Sequence, residues 1–406
     1  MSEQDRVVPS DGRLPLILHV IDSLDVSGGA ERQLVANLRA FDPSKMVHEV
    51  ALVKRTSNTR EHELSEVCRV HTLFEPEEQP SRPTLISRLW RLVRDRKPDL
   101  LHASLPDAAL ASRIVGRLKR VATLESLVNI SHEHIRLIDN PNVTRGKLFL
   151  HTLLDRLTMR SVAGFHAVSQ AVADSWVRVV GLDEAKMRVI PRGVELSAFD
   201  PSPESRAECR QSVLEEFGLP ADTRLILSVG RIEPQKGHRY LVEASGRILD
   251  AHATARILIV GRHGGATPAV SKLIGELGLE DVVYLVGPRH DVVRFLAATD
   301  VFAFPSLFEG NGGNAMIEAM AAGLPIVTTN SAPMTDLIPD DRFGQLVPAR
   351  DPKKLAEAIN SLLDDPDLAT ELGSQAAVRA RSFSTPDQIA SRYEAWYAEL
   401  VADSST

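Results

Sequence analysis

Short apolar runs alternate with amphipathic segments along almost the whole chain of 406 residues. In the first half, five such runs are typical of β-strands: residues 14–21, 48–54, 98–104, 164–169 and 187–194. In the second half, five more have the same character: 224–231, 256–262, 282–287, 301–306 and 325–330. Helical patterns lie between them, as at 31–41 and 85–96. This alternation predicts parallel sheets with helices on both faces, because continuous apolar runs fit strands that are buried on both sides.

The alternation is interrupted between about residues 197 and 223, where prolines and charged residues surround one short helical pattern. A chain of this length favours two domains over one, and we place the boundary in or beside this segment. The predicted division is an N-terminal domain at 1–200, a C-terminal domain at 201–385, and a last helix at 386–406 that packs back on the body of the protein. The predicted fold class is α/β, with two doubly wound domains.

The composition is that of a soluble globular protein, with 43% hydrophobic and 25% charged residues. No apolar run approaches the roughly 18 residues needed to span a bilayer. The N-terminal residues also lack the apolar stretch of a secretory signal. Cys68 and Cys209 are the only cysteines, and they form no CxxC pair. We therefore expect a cytoplasmic location, without a disulfide framework or a zinc ribbon.

Basic residues are concentrated between residues 82 and 120, where ten Lys/Arg outnumber three Asp/Glu. Nucleic-acid binding would require a more general basic bias, whereas the whole chain has a net charge of −7. A local basic face fits an anionic acceptor, or peripheral contact with the inner face of a membrane. Within this segment, one helical pattern has apolar positions that arginines surround: Leu85, Ile86, Leu89, Trp90, Leu92 and Val93. The alternative is an ordinary helix packed on its own sheet, with its arginines in water.

Two cations lie between the apolar run that starts at residue 224 and the helical pattern that follows it. Arg231 and Lys236 are placed at the carboxyl end of a predicted strand, where ligands bind in open α/β sheets. Arginine can grip a phosphate with two parallel hydrogen bonds, and lysine supplies a compact charge. Both would stabilise the negative charge that builds on a departing diphosphate. The alternative is a pair of surface cations in a polar loop.

Two carboxylates, Glu309 and Glu318, flank a glycine-rich turn that opens another helix. Gly313 lets the backbone approach a ligand closely, and free N–H groups near Asn314 and Ala315 would meet phosphate oxygens. Glu318, about one turn into the helix, could reach a ribose hydroxyl pair, and Glu309 could hold hydroxyls of a sugar. Together with the two cations, this set fits a nucleotide diphosphate that carries a sugar. The alternative is a helix-start acid and a solvated loop acid.

A second glycine turn follows the first predicted strand. Gly28 and Gly29 precede a helix that begins near Ala30, and this turn would face the diphosphate or the sugar from across a cleft. The G-x-G-x-x-G pattern is absent from the chain, which argues against a nicotinamide or flavin enzyme.

At these residues the chain resembles the retaining glycosyltransferases of GT-B fold known as family 4, or glycosyl transferases group 1. The resemblance covers nearly the whole length. It rests on these segments in this order: GGAER (28–32), PDLLHAS (98–104), FHAVSQAV (165–172), VIPRGVELSAFDP (189–201), VGRIEPQKG (229–237), LIVGRHG (258–264), GPRHDVVRFLAATDVFAFPS (287–306), EGNGGNAMIEAMAAGLPIV (309–327) and GQLVPARDP (344–352). Their combination is highly specific, although any one alone would not be.

The resemblance implies two Rossmann-like domains that face each other across a cleft, with the donor on the C-terminal domain and the acceptor on the N-terminal domain. By motif, Arg231 and Lys236 match the diphosphate-binding pair, and Glu318 matches the ribose-binding acid. Glu309 matches the acid beside the donor sugar. The resemblance also implies that no metal or other cofactor is needed, since cations and a helix N-terminus would act on the leaving group instead.

One departure from the family pattern concerns the two acids. Eight residues separate Glu309 from Glu318, where the family usually has seven. Either the glycine turn carries one extra residue, or Glu309 is displaced from its usual place.

A second departure concerns the first half of the chain. Many relatives carry a histidine near the donor sugar, soon after a strand of the N-terminal domain. The corresponding stretch here is ESLVNISHEH (125–134), which makes Asn129 and His132 candidates. His102, at the end of another predicted strand, is a candidate for contact with the acceptor.

The predicted function is transfer of a sugar from a UDP- or GDP-sugar to a hydroxyl acceptor, in the synthesis of a glycan, glycolipid or polysaccharide. No well-placed nucleophile stands out, which favours attack on the face that the leaving group vacates, with the anomeric configuration kept. Two alternatives remain open from the sequence: a nucleotide-sugar epimerase of the same fold, and a non-catalytic scaffold in a polysaccharide-assembly complex.

Overall fold

The structure is a computed structural model, and it describes residues 13–25, 29–57, 59–130, 132, 144–196, 199, 202–310 and 313–404. The described chain forms two compact units. The first contains residues up to 132, residues 144–193 and residues 384–404, and the second contains residues 194–383. The chain therefore leaves the first unit near residue 193 and returns to it near residue 384.

The first unit is built on a seven-stranded parallel sheet. Its strands are β1 (Leu16–Ile21), β2 (Val47–Lys54), β3 (Arg69–Phe74), β4 (Leu100–Ser104), β5 (Ala122–Leu127), β6 (Gly164–Ala167) and β7 (Met187–Val189). Its first five helices are α1 (Gly29–Ala40), α2 (Arg82–Arg96), α3 (Pro106–Lys119), α4 (Arg145–Thr158) and α5 (Gln170–Val180). The strands pair in the order β3-β2-β1-β4-β5-β6-β7, so the order reverses between β1 and β4.

Strand β1 shows why the apolar runs of this chain are continuous. Ile17 and Ile21 lie in one apolar cluster, whereas Leu18 and Val20 lie in another. Successive side chains of a strand point to opposite faces, and helices cover both faces of a parallel sheet. Every position along β1 is therefore buried, and every position is apolar except one.

The second unit is built on a six-stranded parallel sheet. Its helices are α6 (Pro203–Glu216), α7 (His238–Ala251), α8 (Thr267–Glu276), α9 (Val292–Ala298), α10 (Asn314–Ala321), α11 (Met334–Leu337), α12 (Pro352–Asp364) and α13 (Pro366–Arg381). Its strands are β8 (Arg224–Val229), β9 (Ala255–Val260), β10 (Val283–Gly287), β11 (Val301–Phe304), β12 (Ile326–Thr329) and β13 (Gln345–Val347). They pair in the order β10-β9-β8-β11-β12-β13. This is the strand order of a Rossmann-type sheet, and it reverses between β8 and β11.

The last helix, α14 (Pro386–Ser404), completes the first unit. Tyr393, Trp396 and Tyr397 are buried in the same apolar cluster as Ile17 of β1. The C-terminal helix therefore packs against the sheet of the first unit.

Helix α2 uses its apolar side inside the first unit. Leu85, Leu89 and Val93 are buried in an apolar cluster with Leu18 and Val20 of β1. The ring centre of Trp90 lies 3.9 Å from the ammonium nitrogen of Lys119. This packing favours the ordinary packed helix, and membrane contact through residues 82–120 stays a prediction. Among the helices that the structure describes, none is both long and apolar enough to cross a bilayer.

Candidate active site

The carboxyl ends of β8 and β11 meet where the strand order of the second unit reverses. The two strands are hydrogen-bonded neighbours. The chain that follows β8 carries Arg231 and Lys236, and the chain that follows β11 carries Glu309. Open α/β sheets bind ligands at this point, because the loops diverge there and leave a crevice.

The turn that carries Lys236 is held against the backbone that follows β11. A short 3₁₀ turn, Pro234–Lys236, ends at Gly237, whose φ of +66° lies in the left-handed region. A Cβ at Gly237 would overlap the carbonyl oxygen of Pro305, so this approach requires glycine. The amide of Leu307 donates to the carbonyl oxygen of Gln235 over 2.7 Å, which ties the two loops together.

Lys236 and Glu309 form an ion pair. The distance from Nζ to Oε1 is 2.5 Å, and the side chains are 14% and 8% exposed. The hydroxyl of Ser306 donates to the same carboxylate oxygen over 2.6 Å, and Nζ lies 5.0 Å from the ring centre of Phe304. The pair is largely removed from water, where charges interact more strongly than at an exposed surface. An anion that entered this site would compete with Glu309 for the ammonium group.

Arg231 follows β8. Among the described residues, its ion-pair partner is Glu233 and not Glu309. The side chain of Arg231 is 46% exposed, and its Nη1 lies 4.0 Å from Oε1 of Glu233. Exposed ion pairs of this length contribute little. The guanidinium group is therefore held weakly enough to turn toward a bound anion.

The ring of Phe304 connects the ion pair to the start of α10. Gly313, with a φ of +84°, lies so close that a Cβ there would be 2.5 Å from the Phe304 ring. Helix α10 then begins with Asn314 and Ala315. The positive end of this helix thus lies on the same aromatic ring as the ammonium group of Lys236.

The extra residue between Glu309 and Glu318 falls in a turn of which Asn311 and Gly312 lie outside the described residues. Both ends of the stretch are described. Glu309 is paired with Lys236, and Glu318 is buried on α10 with 6% of its surface exposed.

The glycine turn predicted in the first unit is described only in part. Gly28 lies outside the described residues, and Gly29 is the first residue of α1. A Cβ at Gly29 would lie 2.8 Å from Nη1 of Arg192. An arginine that is not among the residues predicted from the sequence therefore lies beside this turn.

Asp22 follows β1, where the strand order of the first unit reverses. Its carboxylate accepts a hydrogen bond of 2.7 Å from the amide of Ala108, near the start of α3. Burial raises the pKa of Asp22 to about 6. No sequence motif marks this carboxyl group, whose pKa lies nearer to neutrality than that of an ordinary aspartate.

His102, on β4, belongs to a buried polar network. Its Nδ1 lies 2.7 Å from the hydroxyl of Tyr397, and its Nε2 lies 2.8 Å from the hydroxyl of Ser126. Burial lowers the pKa of His102 to about 3, so its ring is neutral at pH 7. The adjoining cavity of about 30 Å³ is large enough for water. Contact between His102 and an acceptor stays a prediction.

Asn129 and His132 both follow β5. The side-chain oxygen of Asn129 accepts a hydrogen bond of 2.8 Å from the amide of Ile130. His132 is buried; its Nε2 lies 2.9 Å from a carboxylate oxygen of Asp155, and its Nδ1 lies 2.9 Å from the hydroxyl of Thr152. Both ring nitrogens of His132 thus contact side chains of α4, so His132 helps to hold that helix against the first unit.

Comparison with known proteins accounts for both units. The family described as Glycosyl transferases group 1 matches residues 210–379, and the family described as Glycosyltransferase Family 4 matches residues 27–198. The chain belongs to the family 4 glycosyltransferases of GT-B fold. The Family 4 match lies almost wholly in the first unit, and the group 1 match lies in the second unit.

Two curated relatives of this family 4 member are described as D-inositol 3-phosphate glycosyltransferases. The protein from Kineococcus radiotolerans is 35% identical over 225 residues, which cover 51% of the chain and 50% of that protein. The protein from Corynebacterium efficiens is 28% identical over 298 residues, which cover 71% of the chain and 68% of that protein. The chain thus spans about half the length of the first relative.

Solved structures have the same GT-B fold. HepE from Anabaena, crystallised with UDP and glucose, has a TM-score of 0.77 at 20% identity, over 94% of this chain and 98% of that one. Sucrose-phosphate synthase from Thermosynechococcus elongatus has a TM-score of 0.78 at 23% identity, over 96% of this chain and all of that one. The predicted fold class of two Rossmann-like α/β domains is confirmed.

Three residues that position the ion pair are missing from the sequence prediction. Ser306 holds the carboxylate of Glu309, Phe304 lies beneath Lys236, and Gly237 brings the two loops together. All three lie in segments that carry the family resemblance, 229–237 and 287–306, but the sequence assigns them no role. Within the described ranges, no group of three or more His, Cys, Asp or Glu side chains is arranged to hold a metal ion, and metal independence stays a prediction.

Proposed function

We propose that this family 4 member transfers a sugar from a nucleotide-diphosphate sugar to a hydroxyl acceptor and keeps the anomeric configuration. The observation that carries the proposal is the Lys236–Glu309 pair at the strand-order reversal of the second unit. It places a cation suited to phosphate beside an acid suited to sugar hydroxyls, at the point where α/β sheets bind ligands.

The donor diphosphate is proposed to bind to Lys236, Arg231 and the N-terminus of α10. Lys236 is fixed by its loop contacts, and Arg231 is exposed enough to reach an incoming phosphate. Gly313, Asn314 and Ala315 add backbone N–H groups at the positive end of a helix. These groups stabilise the charge that grows on the leaving diphosphate.

Glu309 is proposed to leave Lys236 when phosphate replaces it, and then to accept hydrogen bonds from the donor sugar. The pairing of Glu309 with Lys236 supports an extra residue within the glycine turn over displacement of Glu309. Glu318, buried on α10, is proposed to bind the ribose hydroxyls, since a carboxylate can accept both of them.

The transfer step is proposed to take place on one face of the sugar. The bond between the anomeric carbon and the diphosphate oxygen breaks, and its electron pair stays on the diphosphate. The acceptor oxygen then bonds to the anomeric carbon from the side that the leaving group vacates, and its proton passes to a diphosphate oxygen. Lys236 and Arg231 offset the charge of the leaving group, so the proposed step uses no metal ion.

UDP-glucose is the first donor to test, because HepE has been crystallised with UDP-glucose. An inositol phosphate is the first acceptor to test, because two relatives are described as D-inositol 3-phosphate glycosyltransferases. We place the acceptor on the first unit near Gly29 and Arg192, where a guanidinium group suits an anionic acceptor.

The proposed place of action is the cytoplasm. Cys68 and Cys209 are both free thiols in the structure. Thiols persist in a reducing compartment, whereas secreted proteins more often pair them. Labelling of the protein in intact and in permeabilised cells with an impermeant thiol reagent would test this location.

Thermal unfolding with UDP, GDP, ADP, TDP and CMP, with and without Mg²⁺, tests the donor site. A ligand of the native state raises the melting temperature by mass action. We expect a rise with one diphosphate, independent of Mg²⁺, that Lys236→Ala removes. Lys272→Ala is the matched control, because Lys272 is an exposed lysine on α8, and this variant should keep the rise.

Incubation of the matching donor with the acceptor tests the reaction. NMR of the product should show a new glycosidic bond with the anomeric configuration of the donor. Conversion of the donor sugar without any acceptor would favour the epimerase. Absence of both ligand binding and product would favour the scaffold.

A further inference from the structure

A row of polar side chains crosses the sheet of the first unit. It starts at Tyr397 of α14, whose hydroxyl lies 2.7 Å from Nδ1 of His102 on β4. Nε2 of His102 lies 2.8 Å from the hydroxyl of Ser126 on β5, and this hydroxyl lies 2.8 Å from Nδ1 of His166 on β6. Nε2 of His166 then lies 2.8 Å from the carbonyl oxygen of Ile190, just past β7. Hydrogen bonds thus connect the C-terminal helix to the segment that follows the edge strand.

The direction of every bond in this row is fixed by its last member. A carbonyl oxygen only accepts, so Nε2 of His166 carries a proton. Burial lowers the pKa of His166 to about 4, so its ring is neutral at pH 7 and its Nδ1 accepts from Ser126. The hydroxyl of Ser126 has one proton, so its oxygen accepts from Nε2 of His102. Nδ1 of His102, a ring that burial also keeps neutral, then accepts from Tyr397.

The surroundings of His166 agree with this assignment. The hydroxyl of Tyr393 lies 3.0 Å from both ring nitrogens, and a hydroxyl can donate to Nδ1 and accept from Nε2. The positive charges of Arg192 and Arg392 oppose a second proton on the ring. His166 therefore has one tautomer at neutral pH, and Ser126 is the residue that donates to it from the neighbouring strand.

The row ends on a segment that carries Arg192. His166 holds the carbonyl group at the start of the segment 190–193. At its other end, a Cβ at Gly193 would lie 2.8 Å from the α-carbon of Pro386, where α14 begins. Between these two contacts, the guanidinium group of Arg192 lies beside Gly29, at the start of α1. The backbone is thus held on both sides of Arg192.

We propose that Ser126 is a positioning residue that, through His166, holds Arg192 in place for a phosphate-bearing acceptor. The inference rests on the proposed function, which places an anionic acceptor near Gly29 and Arg192. Ser126 keeps the proton of His166 on Nε2, and that proton holds the carbonyl group two residues before Arg192. A guanidinium group that is already ordered loses less freedom when an anion binds.

Kinetics of Ser126→Ala with UDP-glucose and an inositol phosphate test this role. We expect KM for the inositol phosphate to rise about three- to tenfold, the effect of losing one neutral hydrogen bond. The preference for inositol phosphate over inositol should fall by the same factor. The value of kcat, and the rise of the melting temperature with nucleoside diphosphate, should stay as in the original protein, because the donor site lies on the second unit.

Two further variants separate positioning from a general loss of packing. Ser126→Thr restores the hydroxyl, and the cavity of about 30 Å³ that Ser126 and Arg192 both line leaves room for the added methyl group, so KM should return to its original value. Ser112→Ala is the matched control, because Ser112 is a buried serine of the same unit whose hydroxyl has no hydrogen-bond partner among the described residues. It should leave KM unchanged.

Trypsin under native conditions follows the segment without any substrate. Cleavage after Arg192 requires the segment 190–193 to open locally. We expect this cleavage to be about three- to tenfold faster in Ser126→Ala, and to keep its original rate in Ser126→Thr and Ser112→Ala. Cleavage after Lys272 on α8 is the internal reference, because a global loss of stability would raise both rates.

Nitrogen NMR of the histidine rings tests the row itself. We expect His102 and His166 to carry their single proton on Nε2 at pH 7, with His102→Gln and His166→Gln to assign the signals. A proton on Nδ1 of His166 would overturn the proposal, as would an acceptor KM and a cleavage rate after Arg192 that Ser126→Ala leaves unchanged. Failure of the proposed function differs from both, because the original protein then makes no product while the tautomers and the cleavage rates keep the expected pattern. In that case Ser126 positions the segment, and its role toward an acceptor is wrong.

Discussion

The α-carbon of Gly237 lies so close to the carbonyl group of Pro305 that no side chain fits between them. One residue follows β8 and the other follows β11, the two strands at which the sheet order of the second unit reverses. The contact fixes the loop that ends in Lys236 relative to the loop that leads to Glu309. The short distance between the ammonium and carboxylate groups therefore depends on a glycine in the left-handed region.

Gly237→Ala should separate the two loops and weaken the donor site. The new methyl group both overlaps a backbone carbonyl and occupies a φ that costs an alanine about 1–2 kcal/mol. We expect a lower melting temperature and a smaller rise with the nucleoside diphosphate that binds the original protein. Gly246→Ala on α7 is the control, because a Cβ at Gly246 meets no atom within 4 Å. It should keep the nucleotide effect and raise stability by about 0.5–1 kcal/mol. A full nucleotide effect in Gly237→Ala would show that the loop contact does not shape the site.

Glu309→Gln should separate phosphate binding from sugar transfer. The amide keeps the size of the side chain but no longer neutralises Lys236, so a bare nucleoside diphosphate should bind at least as tightly as before. Turnover of the nucleotide sugar should fall by about 10²–10³, because a group that acts on the reacting sugar is altered. Calorimetry with the diphosphate and initial rates with the nucleotide sugar give the two values. Equal loss of both would assign Glu309 to holding Lys236 in place.

Ser306→Ala should lower turnover through the position of Glu309. The serine hydroxyl donates to the carboxylate over 2.6 Å, and a hydrogen bond to a charged group contributes about 1.5–3 kcal/mol. We expect kcat to fall about 10- to 100-fold, while the affinity for the bare diphosphate is unchanged. Ser228→Ala is the control, because the hydroxyl of Ser228 is buried without a hydrogen-bond partner among the described residues. If the two variants behave alike, Ser306 has no positioning role.

Much of the fold follows from the sequence, because continuous apolar runs mark strands that are buried on both sides. The strands absent from the ten predicted runs are β3, β5 and β13. β3 lies at the edge of its sheet, and Arg69, His71 and Thr72 interrupt its apolar run. β13 has only three residues. β5 contains Glu125, a charge that is buried because Arg113 pairs with it over 2.5 Å. A sequence pattern does not reveal such a partner.

The sequence predicts which residues belong to the candidate site, but it does not predict which of them contact each other. Lys236 and Glu309 are each marked by a motif, but they are 73 residues apart in the chain, and only the strand order brings them together. The outward apolar side of α4 is harder to foresee. A periodic pattern of leucines normally indicates a buried face. On α4, Asp155 contacts the buried side chains of Arg113 and His132 instead, so the leucines lie on the opposite, exposed side.

Acid should destabilise the protein before its carboxylates are protonated, because several histidines are buried in neutral form. Burial lowers the pKa of His48 to about 4, that of His102 to about 3 and that of His166 to about 4. In an unfolded chain each has a pKa near 6.5. Between these values the unfolded state binds more protons than the folded state, so the free energy of unfolding falls as the pH falls from about 6.5 to 4. Asp22, whose pKa is raised to about 6, opposes this loss in part, because its folded form retains a proton that the unfolded form releases.

Urea unfolding at pH 7, 6 and 5 measures this loss. Each buried histidine should contribute up to about 1.4 kcal/mol per pH unit within its window. His48→Gln removes one of these groups, so its stability should depend less steeply on pH than that of the original protein. His151→Gln, which changes an exposed histidine on α4, should leave the slope unchanged. A stability that is constant from pH 7 to pH 5 would contradict this explanation, because the single carboxyl group of Asp22 cannot offset proton uptake by three histidines.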